Sequence, residues 1–327
     1  MLSFTLRRLA QAVPVVLLST LGVFALLHMV PGDPAVALAG SDATPEVLQA
    51  MRRELGLDQP LPLQYWSYIS HLAQGDFGRS ILQHAPVLEL ILQRLPATLE
   101  LAISAMLIAV LIGIPLGVFV AARKGSRADQ ATLLGASFLF AAPGFWIAIV
   151  LILLFSVQLR WLPTSGRADF SIWDSLFQIP NRGLDPLLTA LRHLVLPAVT
   201  LSLGYIAVFI RLTRSTVLET LREDYVRTAH SKGLPERTVR FRHVLRNSML
   251  PLITAGGLYF AQLLGGTVLI EVVFAWPGVG RLAIDALRFF DYALVQGVVI
   301  LTALLFSLSN LIVDVLYAVV DPRIRYS

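Results

Sequence analysis

Cationic side chains are where this sequence concentrates its chemistry. Between two long apolar runs lies EDYVRTAHSKGLPERTVRFRHVLRNSMLP, Glu223 to Pro251, which crowds Arg227, Lys232, Arg237, Arg240, Arg242 and Arg246 into one stretch. At this density such groups hold anionic lipid headgroups, each contributing about 1 kcal/mol near a charged bilayer. Nucleotide chemistry is not open to them. The lysines are Lys124 and Lys232, neither follows a glycine, and so there is no Gly-Lys loop to cradle phosphates. Neither H-E-x-x-H nor G-x-S-x-G occurs, and the Gly-Asp pairs at 32–33 and 75–76 fall outside the apolar runs. Without cysteine, disulfides, thiolate metal sites and a cysteine nucleophile are all excluded. His28, His71, His84 and His193 are scattered, with no ligand spacing. No catalytic, cofactor-binding or metal site is expected on this chain.

The elements that must position the basic stretch are membrane spans. Of 327 residues, 56% are hydrophobic and 14% charged, and the mean hydropathy is +0.72; a soluble domain carries about 25% charged residues. The apolar excess is gathered in blocks, so the chain reads as an all-α polytopic membrane protein. A bilayer core takes roughly 20 apolar helical residues to cross. Six stretches qualify: Leu9–Val30, Ala97–Ala122, Thr132–Val157, Leu194–Leu212, Leu252–Val273 and Ala293–Val320. The first is too long for a cleaved signal segment and is expected to stay as a span. The apolar patches at Leu63–Leu72 and Ile81–Leu95, interrupted or flanked by polar and turn residues, read as soluble or interfacial structure.

Orientation follows from the charges. With the N-terminus in the cytoplasm, the inner segments collect Arg7, Arg8, Arg123, Lys124, Arg127, the run from Arg211 to Arg246, Arg323 and Arg325, well over half of the 26 basic residues. Six crossings return the C-terminus to the same side. The net charge of +5 is therefore a matter of sidedness and calls for no nucleic acid. The expected organisation is a cytoplasmic N-terminus and first span over 1–30, an outer insert over 31–96, and a span core over 97–320. The core carries a cytoplasmic loop over 213–250, and a cytoplasmic tail occupies 321–327. A second outer stretch, Gln158–His193, is rich in turn formers and caps the outer mouth.

Small and helix-breaking residues recur inside the spans: Gly113, Pro115 and Gly117; Gly135, Pro143 and Gly144; and glycines at 256, 257, 265 and 266. They allow close helix approach and broken rods, which suits a bundle that rearranges. Ionisable groups in spans are few. Glu100 is placed to reach headgroup water, His28 and Glu271 sit near outer ends, and Asn310 with Asp314 reads as an interhelical bond. A proton relay would need a longer string of such groups, so the energy for any transport comes from elsewhere.

Within the basic stretch, DYVRTAHSKG reads as a short helix opened by Asp224 and stopped by Gly233 in the left-handed region. Leu234-Pro235 restarts a helix with Phe241, Val244, Leu245, Ser248 and Met249 on one side. The result is an elbow with Thr228 and Ala229 exposed at the middle of its first arm, a knob suited to a partner's groove.

This elbow resembles the EAA loop of ATP-binding cassette importer permeases. The whole chain is similar to the dipeptide/oligopeptide/nickel permease family, most of all to its B-type dipeptide subunits. LRRLAQAVPVV, VPGDPA, LGLDQPLPLQYWSY, GDFGRS, RLPATLELA, DYVRTAHSKGL, RHVLRNSMLP, FAWPGVGRL and NLIVDVLYAVVDPRIRY carry the likeness in order. Where the general motif has Glu-Ala-Ala, this chain has Arg227-Thr228-Ala229 before Gly233, as in the peptide branch, so nothing is carried over from that glutamate. The resemblance implies a type I importer permease of six transmembrane helices. Its partners would be a second homologous permease subunit, two cytoplasmic ATP-binding subunits that hold ATP and magnesium, and an extracytoplasmic solute-binding protein. The chain itself would be a non-enzymatic pore in the inner membrane. Asp224, Tyr225, Arg227, Thr228, Ala229, Lys232 and Gly233 would touch the ATPase; Arg242, His243, Arg246 and Asn247 would support the elbow or anchor it to headgroups. The outer insert Gly166–Pro186 leans toward peptides, with nickel or metallophore import as the alternative on the same scaffold. A membrane enzyme and a simple channel are the readings from other classes.

Overall fold

The computed structural model describes residues 2–29, 34–39, 43–235, 238–239 and 244–320. The tail 321–327 lies outside the described residues, as do Arg237, Arg240, Phe241, Arg242 and His243 of the basic segment and the side chain of Asp314. The described residues are overwhelmingly helical, with one isolated antiparallel bridge between Arg79 and Pro86.

In chain order the helices are α1 (Leu2–Met29), α2 (Pro34–Ala39), α3 (Pro45–Glu54), α4 (Leu61–Ala73), α5 (Val87–Ala121), α6 (Arg127–Ala141) and α7 (Gly144–Leu151). A π-helical stretch, Ile152–Gln158, prolongs α7. Then come α8 (Ile172–Arg182), α9 (Asp185–Thr220), α10 (Asp224–Ser231), α11 (Arg246–Gly266), α12 (Val268–Val273), α13 (Val279–Arg288) and α14 (Tyr292–Val320).

Among the described residues, four helices are long and apolar enough to cross a bilayer: α5, α9, Arg246–Gly265 of α11 and Tyr292–Ile312 of α14. The third expected span is not one rod. It is α6 and α7 with the π-helical stretch, bent by 101° at the break between them. Pro143 causes the bend: its ring drives Ala142 into an extended conformation (ψ 131°) and it has no N–H to continue the ladder. The first expected span contains the shorter apolar helix Val13–Met29. Helices also outrun the apolar stretches. The 35-residue α5 starts at Val87, inside a patch read as soluble or interfacial, and the 36-residue α9 extends past Leu194–Leu212 at both ends.

The chain forms two compact units, Met1–Thr98 with Pro277–Ser307, and Leu99–Trp276 with Leu308–Ser327. In the first, Leu27, Val87, Leu90 and Ile91 pack with Val279, Leu282 and Ala286 of α13 and Leu294, Val295 and Val298 of α14. The fully buried Asp291 opens α14 by accepting the Leu294 N–H at 3.2 Å, and accepts the Ser80 hydroxyl at 2.6 Å.

In the second unit, α5 meets α9 backbone to backbone. A methyl group added at Gly113 would lie 2.6 Å from the Phe209 Cβ, and one at Gly117 would lie 2.5 Å from the Thr213 Cβ. The spacing is the G-x-x-x-G of close helix pairs in lipid. Gly135, by contrast, faces open space, and a methyl group added at Gly256 would meet only the tip of the Phe209 ring, at 3.8 Å. Glu100 corrects the sequence reading. It is 2% exposed, and it accepts from Arg167 Nε at 2.7 Å and from the Ile172 backbone at 2.6 Å. A carboxylate one turn into a span is stable out of water when such charge-assisted bonds fill its lone pairs.

Candidate functional site

The elbow begins where α9 ends. A turn at Leu221 and Arg222 leads to Glu223, whose extended backbone (φ −69°, ψ 147°) precedes α10 without a side-chain cap. Asp224 in the first turn is well placed against the helix dipole. At the other end Gly233 takes φ +70°, a left-handed conformation that costs glycine nothing sterically. This turns Leu234 N–H back to the Ala229 carbonyl at 3.3 Å and Gly233 N–H to the His230 carbonyl at 2.9 Å. Those two bonds make the Schellman stop and satisfy carbonyls at the helix end. The chain then turns at Pro235, where Thr238 and Val239 N–H both reach its carbonyl, at 2.8 and 3.1 Å.

What keeps so short a helix in place is its underside, since eight residues would not hold a helix alone in water. Val226 and Ala229, one turn apart, are 1% and 6% exposed. They pack with Ala121 of α5, Val217 of α9, and Val239 and Val244 further along the loop, with Val118, Leu218 and Leu221 at the margin. Ala229 is therefore not the exposed partner of Thr228 that the sequence suggested. Three residues from Val226 puts it on the inward face, and its small side chain suits the close packing there. Ser248, buried in α11, donates to the Val244 carbonyl at 2.9 Å and lies 3.1 Å from the Thr220 hydroxyl, tying the return arm to the end of α9.

The upper surface is polar. Asp224, Tyr225, Arg227, Thr228, Lys232 and Gly233 are all exposed, Tyr225 at 39%. Asp224 and Arg227 form an ion pair between side chains that are 90% and 76% exposed. The Thr228 hydroxyl donates to the Asp224 carbonyl at 3.0 Å, which settles it along the helix. Arg246 and Asn247 are exposed in the first turn of α11. The surface therefore offers charge and hydrogen bonds above a buried apolar footing.

One buried pair, not singled out from the sequence, carries that footing further. Arg214 of α9 lies one turn before Val217 and grips Asp129 of α6 through two parallel bonds, Nε to Oδ1 at 2.7 Å and Nη2 to Oδ2 at 2.8 Å. Asp129 also accepts the Gly125 N–H at 2.9 Å, and its own N–H meets the Ser126 hydroxyl that caps α6. The Asp129 side chain is 3% exposed and that of Arg214 23%. The available signal was an acid and an arginine just inside the basic ends of neighbouring spans, which spacing along the chain does not connect.

Comparison with known proteins agrees along the whole chain. The solved structure of the inward-facing MetNI methionine ABC transporter contains a similar chain, with TM-score 0.52 and 16% identity over 72% of this chain and 97% of that one, a likeness of fold. Among curated proteins, the probable peptide ABC transporter permease protein y4tP of Sinorhizobium fredii (strain NBRC 101917 / NGR234) is 41% identical over 323 residues, 99% of each chain. The glutathione transport system permease protein GsiC is 41% identical in Salmonella choleraesuis (strain SC-B67) and 40% in Escherichia coli (strain K12), over 100% of both chains in each case. The family described as binding-protein-dependent transport system inner membrane component matches residues 113–326, and its N-terminal counterpart matches residues 1–102. With its type I permease fold and these full-length relatives, the chain belongs to the binding-protein-dependent transport system inner membrane component family, the permease subunits of ABC importers.

Proposed function

We propose that this chain is one of two different permease subunits in an importer of di- and oligopeptides, driven by two ATP-binding subunits, one of them docked on α10. A solute-binding protein delivers the peptide to the outer insert, and both termini of the chain face the cytoplasm. ATP and magnesium are held by the partner subunits. The observation that carries this reading is the polar upper surface of α10 seated on a buried apolar footing shared with α5 and α9. When the ATPases close, they move α10. Val226 and Ala229 bear on Val217, and the Arg214–Asp129 pair carries the displacement into α6 and the broken span beyond it. Two discrete arrangements of such a rigid group are what alternating access needs. A peptide substrate is supported by the names of the relatives, one a peptide permease and the other a permease for glutathione, itself a tripeptide; nickel has no such support.

The test is reconstitution of the chain with its partner subunits and binding protein in lipid vesicles, with ATP-dependent uptake of dipeptides, longer peptides and Ni²⁺ measured side by side. Peptide uptake with no Ni²⁺ uptake is the expected result. Gly233→Val places a β-branched side chain at φ +70°, a strain of roughly 1–3 kcal/mol confined to the elbow. Membrane insertion should be retained and stimulated ATP turnover lost. Undiminished uptake by that variant would remove α10 from the mechanism.

A further inference from the structure

Helix α8 presents the wrong face to its own protein. A helix resting on a protein surface in water turns its apolar stripe inward. In α8, Trp173, Leu176 and Phe177 share one face by their three- and four-residue spacing, and they are 49%, 44% and 84% exposed. The opposite face carries Ser175, which is completely buried and donates its hydroxyl to the Ser171 carbonyl at 2.7 Å. This is no loosely placed segment. Ser171 and Asp174 cap the helix reciprocally, and the buried Glu100 of α5 holds the Ile172 N–H at 2.6 Å. The outward aromatic face is thus imposed by the inward polar contacts.

The span that follows α8 in the chain begins with exposed apolar residues too. Leu184, Leu188, Leu191 and Val195 recur at helical spacing at the start of α9, which is long and apolar enough to cross the bilayer, and all four are more than a third exposed. Trp161, shortly before α8 in the chain, is 65% exposed. Tryptophan and phenylalanine beside flanking polar residues are the composition of helices that lie in the plane of a membrane interface. Asp174 and Arg182 are also exposed; the Asp174 carboxylate is drawn back to the Ser171 hydroxyl at the cap and Arg182 stands in the last turn, and both can be solvated by headgroups and water.

We propose that α8 is an interfacial anchor, its Trp173–Leu176–Phe177 face sunk among phospholipid acyl chains at the end of the bilayer where α9 begins. The partner is the lipid surface, and the solute-binding protein docks elsewhere. The inference rests on the chain's place in the membrane and is independent of what is transported.

The chain has no cysteine, so with partner subunits whose own cysteines have been replaced a single label reports one site. Phe177→Cys, and separately Trp173→Cys, would carry a nitroxide in the full permease complex reconstituted in phosphatidylcholine–phosphatidylglycerol vesicles, with Glu54→Cys as a water-exposed reference. Power saturation then compares access of oxygen, which partitions into lipid, with access of a water-soluble nickel chelate. The expected ratio of oxygen to nickel access is several-fold higher at 173 and 177 than at 54, and unchanged by the binding protein. A ratio at 177 equal to that at 54 would overturn the proposal. So would protection from both reagents, as a protein partner would give, or protection appearing only when the binding protein is added.

Discussion

Helices α8 and α10 are both short and amphipathic, and each holds an aspartate in its first turn, yet they turn opposite faces to the protein. In α10 the apolar residues, Val226 and Ala229, go inward and the polar ones outward. In α8 the small polar Ser175 goes inward while Trp173, Leu176 and Phe177 go outward. A periodic pattern states that a helix has two faces; it does not state which solvent each face meets. That choice lies with the surroundings. Around α10 the inward slot is lined by Val217, Val239 and Val244, while the outward surface bears charges that need water or a polar partner. For α8 the inward contacts are the Glu100 carboxylate and a cap, and the outward surface is aromatic and aliphatic.

The contrast breaks most sharply under a carboxylate. Val226→Asp puts a charge among aliphatic side chains with no partner, at a cost of several kcal/mol. ATP-dependent uptake in vesicles should fall more than 100-fold, with the elbow becoming open to protease. The matched change Phe177→Asp gives up the transfer of one aromatic side chain out of water, about 2 kcal/mol, while a carboxylate at the membrane interface can lift into headgroup water, so uptake should fall only a few-fold. If Phe177→Asp instead raised solubility and left uptake intact, the outward face of α8 would meet water, and the two helices would no longer differ in kind.

A smaller effect is expected one turn below α10. Asp129→Ala leaves Arg214 without its two parallel bonds in a site where the carboxylate was 3% exposed. Removing one member of a buried pair costs about 3–5 kcal/mol, and the thermal midpoint of the purified complex should fall accordingly. Asp129→Leu combined with Arg214→Met should restore much of that stability, because apolar replacements of similar volume are often neutral. The informative quantity is peptide taken up per ATP hydrolysed. If it stays low in the restored double variant, the pair transmits motion from the elbow; full recovery would reduce it to a structural tie.

Most of the architecture was legible because lipid imposes so simple a rule. Runs of about 20 apolar residues must be helical, and Leu194–Leu212 and Ala293–Val320 lie within helices accordingly. The bend at Pro143 and the close approach at Gly113 and Gly117 follow from residue type as well. Helix ends were less visible. Backbone hydrogen bonding continues through polar turns as readily as apolar ones, so α5 begins at Val87 and α9 at Asp185, ahead of the unbroken apolar runs that marked their spans. The stop at Gly233 could be read; the burial of Ala229 could not, since it depends on Ala121 and Val217 arriving from distant parts of the chain. Glu100, Asp129 and Arg214 were misread or missed for one shared reason: a buried ion pair is a three-dimensional coincidence of residues that are 67 to 85 positions apart.

The smallest change tests the outward face of α10 without touching its footing. Arg227→Ala removes an ion pair between Asp224 and Arg227, whose side chains are 90% and 76% exposed. Exposed pairs of this kind contribute little, because water solvates both charges whether or not they meet. The thermal midpoint should therefore stay within the error of the measurement. Any loss of stimulated ATP turnover must then come from outside the chain, from a partner that used the guanidinium or the order it lends to Asp224. Raising the ionic strength supplies the control, since a charged contact across a docking surface weakens with salt and a packing contact does not. Arg227→Ala should reduce turnover by a small factor at low salt, and that factor should shrink toward one as salt is added. Equal turnover at every salt concentration would move the docking contacts to Thr228, Lys232 and Gly233, the uncommitted part of the same face.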